Sequence, residues 1–271
     1  MNSYTLSHIV ADAGLPRNCQ VIHLFEGGSA LHGARIEGKA DLDICGIFIE
    51  PAHKALGLDA FEHFISSTSD DGRRNTFTDV DICLYSLRRW AMLACKGNPT
   101  AINFLFAPNV YQGSPTFQSL WSQIVPDLRK AILAKSAAGH YTGFADGQMK
   151  RLLGAGTGKH GQRDELTQKY GYDTKAAMHA VRLLGEGFEL METGAVTFPR
   201  PDAEKLIEIR EGKWSLDRVC AEVSVGIRLL NTAAELSDLP KRPDRDKVSE
   251  IVTGAYLRTI LCKTIKAKGD Q

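Results

Sequence analysis

The sequence predicts an α/β half followed by an all-helical half, and three observations carry that expectation. A short β-rich run, Val21 to Phe25, leads straight into Glu26-Gly27-Gly28-Ser29. Two later segments, Asp41 to Ile49 and Asp79 to Leu84, alternate acidic and apolar residues with the period of two that a strand imposes. After about residue 115 strand signals nearly vanish and a 3.6 period takes over, so the chain divides into 1–115 and 116–271.

Taken in order, Val21-Ile22-His23-Leu24-Phe25 is a strand ending in a tight turn, and Ala30 to Arg35 is a short helix. In the second strand, closed by Pro51, alternation puts Leu42 and Ile44 on one face and Asp41 and Asp43 on the other. The polar stretch Ser66 to Asn75 has no apolar period and reads as a loop. The third strand points Asp79 and Asp81 away from Val80, Ile82 and Leu84. Ser86 is a good N-cap for a helix from Leu87 to Lys96, which stops at Gly97 with Pro99 just beyond. Helical periods then cover Ser119 to Ala137, His140 to Leu153, Thr174 to Met191, Ala203 to Arg210, Ser215 to Leu236 and Arg245 to Lys268.

With 271 residues, 43% of them hydrophobic, the chain can bury a full core. Its 33 basic and 32 acidic residues nearly cancel, which excludes a protein held to nucleic acid or membrane by overall charge. Any phosphate-binding surface is therefore local. The six cysteines form no Cys-x-x-Cys pair and have no histidine at zinc-ligand spacing. No signal-peptide pattern and no uncharged apolar run of the roughly 18 residues needed to span a bilayer is present, so a soluble, reduced, cytoplasmic protein without a membrane partner is expected.

Two aspartates at i and i+2 on a strand project side by side, and a third from a neighbouring strand, Asp79 or Asp81, can complete a cluster. Three carboxylates within roughly 4–5 Å repel one another by about 1 to 4 kcal/mol per pair, so such a cluster usually holds a cation. All-oxygen ligation suits Mg²⁺. With two ions, one activates an attacking hydroxyl while the other steadies a departing pyrophosphate, which is nucleotidyl transfer. Ser29 stands twelve residues ahead of Asp41, at the mouth of a helix. Glycines there let the backbone approach a triphosphate, free N–H groups favour its charge, and the Ser29 hydroxyl adds a donor. Taken singly, an Asp-x-Asp is often solvated edge decoration and a Gly-Gly-Ser merely a turn. The order of glycine turn, helix, Asp-x-Asp strand and acidic strand is far more specific.

GGSALHG, DLDICGIFIEP and DVDICLYSLRRW together resemble the DNA polymerase beta superfamily of nucleotidyltransferases. CKGNPTAINFLF, KYGYDTKAAMHAVRLL and SDLPKRPD point to its RNA-ligase-associated, or RNA repair pathway, branch, and the resemblance extends over roughly residues 20 to 250. It implies a mixed-sheet catalytic domain followed by helices, two Mg²⁺ ions (or Mn²⁺ in their place) and transfer of a nucleoside monophosphate from an NTP. Carried over by residue, it implies that Gly28 and Ser29 bind phosphate and that Asp41 and Asp43 ligate metal. It favours Asp81 over Asp79 as the third carboxylate, from its distance ahead of Tyr85-Ser86-Leu87-Arg88-Arg89. It also suggests an RNA 3′ end as acceptor. Adenylylation of a protein or small molecule would use the same carboxylates, and a catalytically silent NTP-binding regulatory protein is the reading from another class.

In the helical half, Lys175, His179 and Arg182 share one helical stripe opposite Ala177, Val181 and Leu184. With Asp173 as N-cap, Lys175 falls in the first turn, where the helix dipole disfavours a cation, which hints at an anionic ligand. The stripe is a candidate nucleotide contact, and a solvated basic face is the plain alternative; Tyr172 could equally be a packing residue. From Lys150 to Arg182 there are seven Lys/Arg and three Asp/Glu, attractive to a nucleic-acid acceptor but equally explained by solvation. Gly154 to His160 fails the P-loop test, because only three residues separate Gly154 from Gly158 and His160 stands where Ser/Thr is required. It reads as a linker. His23, His53 and His63 have no triad or ligand spacing and read as core or surface residues.

Overall fold

The computed structural model describes residues 3–36, 41–69, 78–110, 115–152 and 164–269. In chain order the elements are α1 Ser3–Asp12, β1 Gln20–Glu26, α2 Gly28–Leu31, β2 Leu42–Ile49, α3 Ala52–Ala55, β3 His63–Ser67, β4 Val80–Ser86, α4 Leu87–Cys95 and α5 Pro99–Asn103. The helices α6 Pro115–Ile132, α7 Ala137–Leu152, α8 Asp164–Tyr170, α9 Thr174–Thr193, α10 Ala203–Arg210, α11 Leu216–Leu236 and α12 Arg245–Gly269 follow. This is an α+β fold with a mixed sheet of order β1-β2-β4-β3, in which only β2 and β4 run parallel.

Alternation assigns the two sheet faces. Leu24, Leu42, Ile44, Phe48, Ile82 and Leu84 are buried with Leu6 and Val10 of α1 on one side. On the other side Phe25, Ile47 and Ile49 join Trp90 of α4 and the helices of the C-terminal half in one continuous cluster. Trp121 of α6 stacks on His23 of β1 at 4.6 Å and meets Trp90 edge-on at 5.2 Å. His23 is therefore a neutral core ring, its pKa lowered to about 3 chiefly by burial. Among the described residues no helix is long and apolar enough to cross a membrane.

Four expectations need correction. The short helix is Gly28–Leu31, not Ala30 to Arg35: Gly27 is its N-cap, and Gly33, at φ +70°, lies just beyond the C-cap His32. Residues His63–Ser67, partly read as loop, form the edge strand β3. Its burial alternates between exposed and half-buried, but the exposed face carries the apolar Ile65, so hydropathy does not follow burial there. Residues 70–75 of that expected loop lie outside the described residues, as does the glycine-rich stretch 154–160. The helix expected to run to Ala137 ends at Ile132, because the Lys135 and Ser136 N–H groups donate instead to Pro240 O and Lys241 O. Finally α1, α3, α5 and α8 carry too few periodic apolar residues to stand out in the sequence.

Candidate active site

The parallel register pairs Asp43 directly with Asp81, one strand over. Because side chains alternate, both point to the face opposite Leu42 and Ile82, and Asp41 joins them from the residue before β2. One ligand oxygen from each of Asp41, Asp43 and Asp81 lies within 4.8 Å of the others. Asp79, the alternative third carboxylate, is instead buried beside Thr68, whose hydroxyl is 3.4 Å from its Oδ1. The fold thus groups Asp81, and not Asp79, with Asp41 and Asp43.

The glycine turn stands against this cluster. Gly27 N–H donates to Asp43 O at 2.8 Å, locking the turn to β2. Gly28 adopts φ +55°, and a Cβ there would fall 1.7 Å from Asp43 Oδ2. Only glycine fits, for backbone and for space. Gly28→Ala is expected to lose about 1–2 kcal/mol from the left-handed backbone alone and to weaken divalent-ion binding at least about tenfold by displacing the Asp43 carboxylate. Ion titration by calorimetry checks the second effect, and denaturant unfolding the first.

Electrostatics mark Asp43 as the strained member. Burial first, then Asp41 and Asp81, push its pKa from 3.8 up to about 6, while Lys175 pulls it down. The cluster therefore lacks positive charge, and its all-oxygen donors fit a hard divalent cation. As pH falls through about 6, Asp43 takes up a proton that an ion would have to expel, so affinity for Mn²⁺ is expected to drop across that window. Unchanged affinity there would contradict the assignment of Asp43 as a ligand.

The stripe on α9 divides into three roles. Asp173 caps the helix, its Oδ1 accepting from Lys175 N and Ala176 N at 3.0 Å each. Lys175 is exposed and close enough to Asp43 to act on it, so the first-turn cation faces the acidic cluster. His179 is held neutral, its pKa lowered to about 3 by burial and then by Arg182 and Lys175. It offers phosphate no charge. Tyr172 is a packing residue, buried with its hydroxyl donating to Trp214 O at 2.7 Å.

Arg182 turns inward instead. Its Nη1 lies 3.0 Å from Glu186 Oε1 and in close contact with His32 Nε2. His32 Nδ1 is 3.1 Å from the same Glu186 oxygen. Burial and Arg182 lower the His32 pKa, so the ring is neutral, and one tautomer satisfies both contacts: Nδ1–H donates to Glu186 while Nε2 accepts from Arg182. Burial alone would raise the Glu186 carboxyl, but Arg182, His32 and Arg200 outweigh it and hold it near 2. His32 follows α2 immediately, and its carbonyl accepts from Arg200 N at 3.1 Å. This buried network fastens the glycine turn to α9. Sequence reasoning named Arg182 but missed His32, 150 residues away in the chain with no local signal, and Glu186, whose i,i+4 spacing to Arg182 could have revealed it.

Comparison with known proteins places the chain. It matches the model of a family described as the RNA repair pathway DNA polymerase beta family over residues 3–248. An uncharacterized 38.9 kDa protein of Enterobacteria phage T4 is 35% identical over 81 residues, 30% of this chain and 24% of that protein. The match thus spans about a quarter of that relative's length. The crystal structure of a nucleotidyltransferase-like protein from Exiguobacterium sibiricum 255-15 aligns with 86% of this chain and 74% of its own at 12% identity, with a TM-score of 0.31.

Proposed function

This chain belongs to the RNA repair pathway DNA polymerase beta family, and from that premise we propose that it is a Mg²⁺-dependent nucleotidyltransferase that moves a nucleoside monophosphate from an NTP to an acceptor hydroxyl at an RNA 3′ end. The observation that carries the reading is the convergence of Asp41, Asp43 and Asp81 beside the Gly28 turn. Those three carboxylates would hold the ions, Mg²⁺ or Mn²⁺. Two such ions neutralise a triphosphate and make an acceptor hydroxyl more acidic.

The remaining work falls to the chain. Gly28 and Ser29 offer N–H groups and a hydroxyl to the triphosphate, with no Cβ at Gly28 to hold it off. Lys175 supplies the nearby positive charge from the segment 116–271, while 1–115 supplies the carboxylates. Arg182 acts one layer back, holding the turn through His32 and Glu186.

The test is to incubate the protein with each α-labelled NTP, Mg²⁺ and separate RNA, protein and small-molecule acceptors. Label in RNA alone supports the proposal and eliminates adenylylation. Label in no acceptor would favour the NTP-binding regulatory protein.

A further inference from the structure

We propose that the site face of the edge strand β3, with β4, is a stacking platform for the unpaired nucleotides that precede the acceptor 3′ end. This rests on the nucleotidyltransferase reading above. It adds where the acceptor lies and which form of strand it must take.

The lateral order of the sheet sets the argument. The glycine turn leaves β1, Asp41 and Asp43 belong to β2, Asp81 to β4, and β3 forms the far edge. With the triphosphate on the glycine side, the acceptor approaches from the β3 side, where Asp81 is the nearest carboxylate. Ser67 of β3 donates from that side to Asp81 Oδ1 at 2.6 Å, fixing the orientation of the carboxylate.

The register then shows what lies under an incoming strand. Ser67 pairs with Asp81, Ile65 with Cys83 and His63 with Tyr85, so all six side chains share the site face. Ile65 is 67% exposed, a large apolar side chain left bare on the strand that borders the acidic cluster. His63 is exposed and stacks on Tyr85, centroids 4.4 Å apart and planes 8° from parallel. Its Nε2 also meets Cys83 Sγ at 3.3 Å, which holds the ring in place beside Tyr85. Arg89, in the first turn of α4, acts electrostatically on both rings and supplies positive charge for a phosphate beside them.

From Asp81 to Tyr85 is four residues, about 13 Å along a strand. That length suits the last few nucleotides of a single strand, with the 3′ end at the carboxylates and preceding bases on Ile65 and His63. Stacking on such surfaces needs bases whose faces are free, and it tolerates any sequence. A base-paired end has its faces already covered. The platform therefore selects an unpaired RNA end without reading its bases.

The experiment measures transfer of an α-labelled NTP to single-stranded RNAs of increasing length, and to the same end within a blunt duplex. Wild-type, His63→Ala, Ile65→Ala and His63→Phe proteins are compared. The wild type is expected to prefer the single strand, with KM falling over the first few nucleotides and then levelling. Each alanine variant is expected to raise the RNA KM by about 5- to 100-fold, with kcat, the NTP KM and thermal stability unchanged. The phenylalanine variant, which keeps a flat ring, should remain close to wild type. Anisotropy of a fluorescent single-stranded RNA gives a second readout and should weaken in parallel. Transfer to RNA with alanine variants indistinguishable from wild type, or an equally good blunt duplex, overturns the platform alone. Label reaching only non-RNA acceptors overturns the RNA reading and the platform with it.

Discussion

Asp43→Asn is expected to reduce nucleotidyl transfer by about three orders of magnitude, the several kcal/mol that metal-held charge contributes to such a reaction, while raising the unfolding temperature of the metal-free protein. The two effects share one cause. Burial, Asp41 and Asp81 raise the folded-state pKa of Asp43 from 3.8 to about 6. Between those values the folded protein holds a proton that the unfolded chain releases, so stability falls as pH rises through the window and the full cost persists above about 6. Asparagine keeps the shape and removes the charge. At neutral pH and without metal, calorimetry should therefore find the variant more stable. Added Mg²⁺ should raise the wild-type midpoint and leave the variant nearly unmoved. Normal turnover by the variant would remove the enzymatic reading.

The second large effect is on stability. Glu186→Ala is expected to cost about 3–5 kcal/mol, the range for deleting one partner of a buried ion pair. Its side chain is fully buried, bonded by Arg182 at 3.0 Å and approached by Asn103 Nδ2 at 3.4 Å. Alanine would leave the Arg182 guanidinium and the buried Arg200 without that counter-charge. Urea unfolding measures the loss. Because the same carboxylate holds His32, the glycine turn should loosen, and the NTP KM should rise even where the variant remains folded. A variant as stable as wild type would refute the network.

How much was legible depended on whether the signal was local. The strand β2 buries one face completely and β4 most of one, and their alternation is plain in Leu42-Asp43-Ile44 and Asp81-Ile82-Cys83, while β1 stands out as an apolar run. The same alternation placed the metal-ligand candidates, since a strand fixes which side chains share a face. The strand β3 escaped because Ile65 points to solvent, against the pattern that identifies strands. His63, read as a core or surface residue, gains its proposed role only because the fold sets Tyr85 beside it. The α9 stripe was visible as a periodicity, but not its division of labour. That Lys175 faces Asp43 and that Arg182 meets His32 depend on residues far away in the chain, and that His179 is neutral depends first on its burial.

The interleaved tryptophans have a consequence for traffic. Trp121 is wedged between His23 of the sheet and Trp90 of α4, so the C-terminal helices cannot swing aside without baring the interior. On the proposed function, NTP and acceptor would therefore reach the carboxylates with α6 in place, and variation among relatives in what they accept is expected at the β3 residues that flank Asp81.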